Sequence, residues 1–167
     1  MKLLRITAEG LPLFKEKLDL SFYAQQRVAE EQKNILYPLF SNIYMNSATG
    51  FIGINASGKT SVLKVILLAL DIINNEPINH IETRDILGDA KEVKLNMYFF
   101  SGKLNEICRL ETIITSRKSK PEGTSYSILS ESLWIKDVSA PAPAGCSAPS
   151  AASSGKGCAQ YWTHLRC

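Results

Sequence analysis

The chain has 167 residues, 45% apolar and 21% charged, a composition that fits one globular domain and excludes a wholly disordered chain or an integral membrane protein. The formal net charge is +3, and residues 1–138 hold all 16 acidic residues and all but two of the 19 basic residues. This part is therefore nearly neutral, and its charge gives no support to a nucleic-acid-binding surface.

Hydrophobic runs in the chain are short. The densest, Val65–Leu70, falls well below the ~18 residues of a membrane-spanning helix, and Arg5 and Glu9 interrupt the N-terminal segment before a secretory leader can form. Of the four cysteines only Cys108 lies within residues 1–138, and the others are too widely spaced for a paired zinc motif. We expect a cytoplasmic protein without membrane contact, with free thiols and no structural metal.

The first half of the chain predicts a hairpin, a strand and a helix. Residues 1–23 alternate apolar and polar side chains on both sides of a turn at residues 10–12, as in a β-hairpin. Residues 24–36 are polar and suit an exposed loop or a short solvated helix. Residues 41–54 are apolar and β-branched, so we expect a strand there. Residues 57–73 are apolar nearly all round, as in a helix buried against a sheet.

The second half predicts an antiparallel meander and a tail. The helix should end at Asn74–Pro77, and a loop that holds His80 and Asp85 follows. Three strand-like stretches are then separated by turn residues, at 92–100, 106–115 and 124–135. Residues 139–157 are almost entirely Ala, Pro, Ser, Gly and Cys, so we expect residues 139–167 to be a disordered tail. The abrupt change in composition favours a foreign or frameshifted end over a genuine linker.

One motif in the sequence carries chemistry. Residues 53–60, Gly-Ile-Asn-Ala-Ser-Gly-Lys-Thr, fill every fixed position of the P-loop (Walker A) pattern G-x-x-x-x-G-K-[ST]. The motif follows a predicted strand and opens a predicted helix, which is the context that the pattern demands. A Gly-rich turn without a ligand is the alternative, and the pattern and context together favour phosphate binding.

Each residue type in the motif has a physical reason. A polyphosphate needs inward-pointing N–H donors, and the loop can curl if Gly53 and Gly58 adopt conformations that a Cβ would obstruct. The N-terminus of the helix favours negative charge. We expect Lys59 to reach the β- and γ-phosphates and act in catalysis, and the Thr60 hydroxyl to ligate Mg²⁺. The predicted nucleotide site comprises Gly53, Asn55, Ala56, Ser57, Gly58, Lys59, Thr60 and, as a first-turn residue, Ser61.

Residues 53–64 resemble the P-loop of the ABC-type ATPase heads found in bacterial AAA-family ATPases of the SMC, RecF and OLD-nuclease group. These heads favour Asn followed by a small residue and then Ser-Gly-Lys, as at Asn55–Lys59. The opening residues 1–7 and 18–22 also resemble their N-terminal hairpin. The resemblance covers residues 1–138 and implies ATP as the nucleotide, and pairing with a second head, in a homodimer or with another ATPase. DNA enters as a partner by this resemblance alone.

The later elements of such a head are missing from the sequence. We find no signature loop, no Walker B strand that ends in Asp-Glu and no switch His. Val65–Asp71 mimics Walker B, but Asp71 lies 11 residues past Thr60 on one helix, about 16 Å along its axis, too far to share the metal. Leu133–Asp137 is a second near miss, because Lys136 interrupts its apolar run and Val138 stands where a catalytic Glu belongs.

Other polar residues carry weaker signals. Asp85-Ile86-Leu87-Gly88 matches the D-x-x-G of GTPases, but no N-K-x-D motif follows, so adenine is preferred and Asp85 is expected in a surface loop away from the metal. His80 and His164 stand alone and are expected at the surface. The one basic run, residues 117–120, suits a solvated turn.

The sequence therefore predicts an α/β P-loop NTPase fold, a partial ABC-type head with a mixed sheet, an antiparallel β meander and a disordered C-terminal tail. The expected function is binding of ATP with Mg²⁺, as the N-terminal part of an ATPase that hydrolyses ATP by in-line attack of water when complete. Two alternatives stay open: a nucleotide-binding or regulatory module without turnover, and an inactive truncated fragment.

Overall fold

The computed structural model describes residues 1–24, 26–40, 42–55, 58–79, 81–119 and 123–138. The predicted tail, residues 139–167, lies outside the described residues, as do Ala56, Ser57 and His80. The described part is a mixed α/β fold in which most of the chain belongs to an antiparallel sheet. None of its helices has the length and the apolar character needed to cross a membrane.

The elements follow one another along the chain as β-strands with two helices between the fourth and fifth. They are β1 (Lys2–Glu9), β2 (Leu18–Ser21), β3 (Tyr37–Phe40), β4 (Ile43–Met45), α1 (Lys59–Ile73), α2 (Ile81–Leu87), β5 (Glu92–Ser101), β6 (Glu106–Ser119) and β7 (Gly123–Asp137). A single 3₁₀ turn, Glu30–Gln32, lies between β2 and β3. Five strands form one sheet in the order β2-β1-β5-β6-β7, and β3 pairs with β4 in a separate ribbon.

The predicted hairpin and meander are confirmed. Strands β1 and β2 pair antiparallel, with Ile6 opposite Leu20, and β5, β6 and β7 form the expected meander. The expected mixed sheet is wrong for the described residues, because every strand pairing there is antiparallel. The hairpin and the meander instead share one sheet through the pairing of β1 with β5.

Gly10 makes this sheet junction possible. Its φ of +82° is favoured by glycine, and a Cβ at this position would lie 2.5 Å from the backbone oxygen of Glu92. The chain can therefore turn out of β1 while it stays in close contact with the start of β5. The predicted turn at residues 10–12 thus has a tertiary reason as well as a local one.

Helix α1 packs on one face of the sheet and forms the core with it. The buried side chains of the helix recur at the spacing of one helical stripe; they are Val65, Leu68, Ala69 and Ile72. They belong to one cluster with buried strand residues such as Ile6, Leu95 and Met97. The prediction of a buried helix holds for this stripe only, because Leu63 and Leu67 on the opposite side are about half exposed.

Hydrogen bonds tie the chain segment after α1 to strand β7. The Asn79 side-chain amide donates to the Tyr126 carbonyl at 3.0 Å, and the Tyr126 N–H donates to Asn79 Oδ1 at 2.8 Å. The Tyr126 hydroxyl donates to the Gly88 carbonyl at 2.8 Å. The Asn79 side chain therefore satisfies the backbone N–H and carbonyl of Tyr126, as a neighbouring strand would at a sheet edge.

The strand predicted over residues 41–54 is mostly wrong. Only Ile43–Met45 is a strand, and it pairs with β3. Residues 46–55 form no strand, and Ile52 and Ile54 are 100% and 84% exposed. A central strand needs a partner to satisfy its backbone groups and cover its side chains. No described segment provides that partner.

The loop predicted around Asp85 is also wrong, although Asp85 is exposed as expected. Residues 81–87 form the short helix α2, whose Ile86 and Leu87 are buried in the core. A seven-residue helix is too short to form by propensity alone, so its stability comes from these tertiary contacts. Local sequence patterns therefore did not predict this helix.

Replacing Leu68 by Ala should lower the free energy of unfolding by about 2–5 kcal/mol, because a fully buried side chain leaves a cavity. The matched change Leu67→Ala should cost about 1 kcal/mol or less, because Leu67 is 54% exposed on the same helix. Urea unfolding of both variants measures the difference. Equal losses would mean that α1 does not pack through this stripe.

Candidate phosphate-binding site

The P-loop motif lies where the chain enters α1. Gly58 precedes the first helical residue with φ +84° and ψ 9°, a left-handed conformation that favours glycine. An added Cβ at Gly58 would meet no atom within 4 Å, so the constraint here is backbone conformation rather than crowding. The prediction that position 58 favours glycine therefore agrees with its positive φ angle.

Lys59 folds back over the loop that precedes it. Its Nζ donates to the Gly53 carbonyl at 2.8 Å and to the Ile54 carbonyl at 2.7 Å. These two bonds place residues 53 and 54 beside the first turn of α1. The Lys59 ammonium group thus lies near the N-terminus of α1, between the helix and the carbonyls of residues 53 and 54.

The first turn of α1 suits an anion. The N-cap residue Gly58 has no side chain that could cap the helix, and the first turn contains no acidic residue. The helical bond pattern begins with the Val62 N–H donating to the Gly58 carbonyl at 2.9 Å, so the amides of residues 59–61 have no acceptor within the helix. These first-turn amides, the helix dipole and one lysine all favour negative charge at this point.

The remaining predicted site residues lie around this turn. Thr60, Gly53 and Asn55 are exposed, and Ser61 is half-buried. Ala56 and Ser57 lie outside the described residues. For the predicted Mg²⁺, the hydroxyl of Thr60 is one accessible hard oxygen ligand, which fits an ion that takes most of its ligands from phosphates and water. In the part of the chain that the structure describes, no group of three or more His, Cys, Asp or Glu could hold a metal alone.

Asp85 has a structural partner that the sequence did not indicate. It accepts a hydrogen bond from Lys64 Nζ, which joins α2 to α1 as an ion pair. Asp71 lies near the far end of α1, and Leu133–Asp137 lies within β7. Asp71 is therefore at the opposite end of α1 from the P-loop motif, and Asp137 belongs to a separate strand.

A patch of exposed apolar side chains borders the loop, and we call it the α1 patch: Ile52, Ile54, Leu63 and Leu67. Lys59, Leu63 and Leu67 are spaced four residues apart and so share one helical face. Ile52 and Ile54 belong to the segment whose carbonyls, at residues 53 and 54, bind the Lys59 ammonium. The four side chains of the α1 patch are 49% to 100% exposed.

An open groove of ≈ 530 Å³ lies beside the other end of the 46–55 segment. Its lining includes Tyr23, Arg27, Val28, Ile35 and Asn46, and it includes none of the P-loop residues. The lining combines one cation with aromatic and aliphatic side chains. The groove and the loop are therefore separate features.

Comparison with protein-family models, with curated proteins and with solved structures finds no match to this chain.

Changing Asp85 to Asn should leave nucleotide affinity within about twofold, because its carboxylate is committed to Lys64 rather than to a metal. The free energy of unfolding should fall by about 1 kcal/mol or less, as for other exposed ion pairs. Calorimetry with and without Mg²⁺, together with urea unfolding, measures both effects. Loss of the Mg²⁺-dependent part of binding would instead make Asp85 a metal ligand.

Proposed function

We propose that residues 53–61 bind the phosphates of ATP together with Mg²⁺. The observation that carries the proposal is the position of the Lys59 ammonium, held by the carbonyls of residues 53 and 54 at the start of α1. A polyphosphate there would accept hydrogen bonds from the helix amides and replace neutral carbonyls as the partner of Lys59. Charge-assisted hydrogen bonds of this kind are about twice as strong as neutral ones.

The P-loop motif supports a nucleotide over a simple anion. Its full pattern, Gly53 to Thr60, supplies an amide nest, a cation and a hydroxyl in the order that triphosphate and metal require. When bound, Mg²⁺ would neutralise charge on the phosphates, with Thr60 as its protein ligand. The preference for adenine rests on the absence of a guanine-specific motif in the sequence and on the family resemblance.

We further propose that the chain is the N-terminal part of an ATPase of the ABC-head kind. The α1 patch supports this proposal. When a sheet lacks its remaining strands, we expect one face of its apolar helix to be uncovered and an apolar segment to have no strand partner. A partner head, in a homodimer or with a second ATPase, would contribute the groups that act on the γ-phosphate.

A binding module without turnover is the second candidate, and one observation favours it. Asp85, the acidic residue of the D-x-x-G pattern, is already paired with Lys64. Among the described residues, the contacts of α1 place no acidic side chain at the loop. A water molecule that attacks the γ-phosphate would therefore lack a base from the described part of the chain.

The first experiment is a calorimetric titration with MgATP. The wild-type chain should bind, and Lys59→Ala should weaken binding by about tenfold or more, because a charge-assisted contact to phosphate is lost. Lys64→Ala is the matched control: it removes a lysine from the same helix without touching the loop and should change affinity by less than about threefold. Equal affinity of wild type and Lys59→Ala would disprove phosphate binding at the loop.

The second experiment measures turnover. The chain alone should hydrolyse ATP far below ~1 per second, the low end of ordinary enzymes, since a missing general base costs roughly 10² to 10⁴ in rate. Steady-state phosphate release at saturating MgATP gives the value, with Lys59→Ala as background. A turnover near 1 per second that Lys59→Ala abolishes would show that the chain holds a complete catalytic site.

A further inference from the structure

The sheet face opposite α1 carries a row of alternating cations and aromatic rings. The strand register pairs Arg5 with Tyr98, Tyr98 with Arg109, and Arg109 with Trp134, across β1, β5, β6 and β7. Ile6, the neighbour of Arg5 along β1, is buried in the core, so the row lies on the other face. Side chains directly opposite each other in a sheet are in contact range. We call these four residues the Arg/aromatic row.

The two guanidinium groups of the row differ in their partners. Arg5 donates from Nε to Asp19 Oδ1 at 2.8 Å and from Nη2 to Asp19 Oδ2, a bidentate ion pair. Arg109 lies over the indole ring of Trp134, with Cζ 3.7 Å from the ring centroid. Within the described residues Arg109 has no carboxylate partner, and its buried Nε has no hydrogen-bond acceptor.

Other charges close to Arg109 cannot compensate it. Glu111, two residues along β6 and on the same face, forms an ion pair with Lys94 at 2.9 Å. Farther along this face, Glu9 pairs with Lys17 at 2.7 Å. Arg109 is therefore a cation without a carboxylate partner among the described residues, and its buried Nε–H has lost water without gaining an acceptor, which costs free energy.

We propose that the Arg/aromatic row is a docking site for a protein segment that places one Asp or Glu carboxylate on Arg109. The stacked indole holds the guanidinium in a fixed plane, which prepares it for a planar, bidentate oxyanion. The residues beside that carboxylate would pack on Trp134 and Tyr98. Arginine, tryptophan and tyrosine are the residue types that dominate binding energy in protein interfaces.

The charge pattern favours a protein segment over a nucleic acid. A phosphate backbone is held by several cations along a track. On this face Arg5 and Lys94 are already paired with Asp19 and Glu111, which leaves Arg109 and, two residues past Trp134 on β7, the exposed Lys136. One uncompensated guanidinium beside two aromatic rings complements a single carboxylate. This proposal is independent of nucleotide binding at the P-loop.

The test is an NMR titration of the full ¹⁵N-labelled chain with a hexaglutamate peptide at constant ionic strength. The Nε–H resonance of Arg109 and the indole N–H resonance of Trp134 should shift along one saturable curve, and a hexaglutamine peptide should leave both unchanged. Arg109→Lys should weaken the association by about tenfold or more, because lysine keeps the charge but lacks the planar fork. Arg117→Lys, an exposed arginine on the same strand, is the matched control and should bind like wild type.

Three results would overturn the proposal. Absence of a shift with hexaglutamate, or an equal shift with hexaglutamine, would mean that the row does not recognise carboxylates. The same shift with inorganic phosphate at equal charge concentration would leave only a general anion site. Tighter binding of a ten-nucleotide oligo-dT than of hexaglutamate would make the row a nucleic-acid surface. If Arg109→Lys fails to fold by circular dichroism, the wild-type comparison of the two peptides still decides.

Discussion

Burial of one stripe of α1 against the antiparallel sheet is the constraint on which the candidate site depends. Val65, Leu68, Ala69 and Ile72 fix the rotation and height of a rigid 15-residue helix on the sheet. The helix begins immediately after the left-handed Gly58, so the same packing sets the place of its first-turn amides and of Lys59. Apolar contacts farther along the helix therefore position the polar groups that would hold a phosphate.

The same helix carries apolar side chains on the face that the sheet does not cover. Leu63 and Leu67 are exposed there, and Ile52 and Ile54 are exposed in the segment that leads into the helix. A helix that is apolar all round is stable in water only if its second face is covered. This surface links the two parts of the proposed function: it lies beside the loop, where further strands or a partner would have to pack before a γ-phosphate could be attacked.

Local periodicity predicted the elements that local pattern determines. It failed for elements whose formation depends on contacts with distant parts of the chain. The hairpin, α1 and the meander have strong two-residue or helical periods, and their observed bounds lie close to the expected ones. The strand at residues 51–54 needs a neighbour that the described chain lacks, and α2 exists because Ile86 and Leu87 reach the core. The P-loop motif stays a prediction, and its pattern is readable in the sequence because its residues are contiguous. The bond between Lys64 and Asp85 depends on how two helices meet and leaves no sequence signal.

Phosphate binding and phosphate hydrolysis require different groups. A short segment of the chain can therefore provide the proposed binding site without providing the catalytic groups. Nine contiguous residues, 53–61, suffice to form a loop, a helix start and a cation. Hydrolysis needs groups that approach the phosphate from other directions, and these come from distant parts of a fold or from a second subunit. In this chain Lys59 is already held beside the loop by two carbonyls, so a phosphate could be bound by rotation of one side chain without movement of α1. If the loop binds ATP as proposed, discrimination between nucleotides and the positioning of water must come from groups outside it.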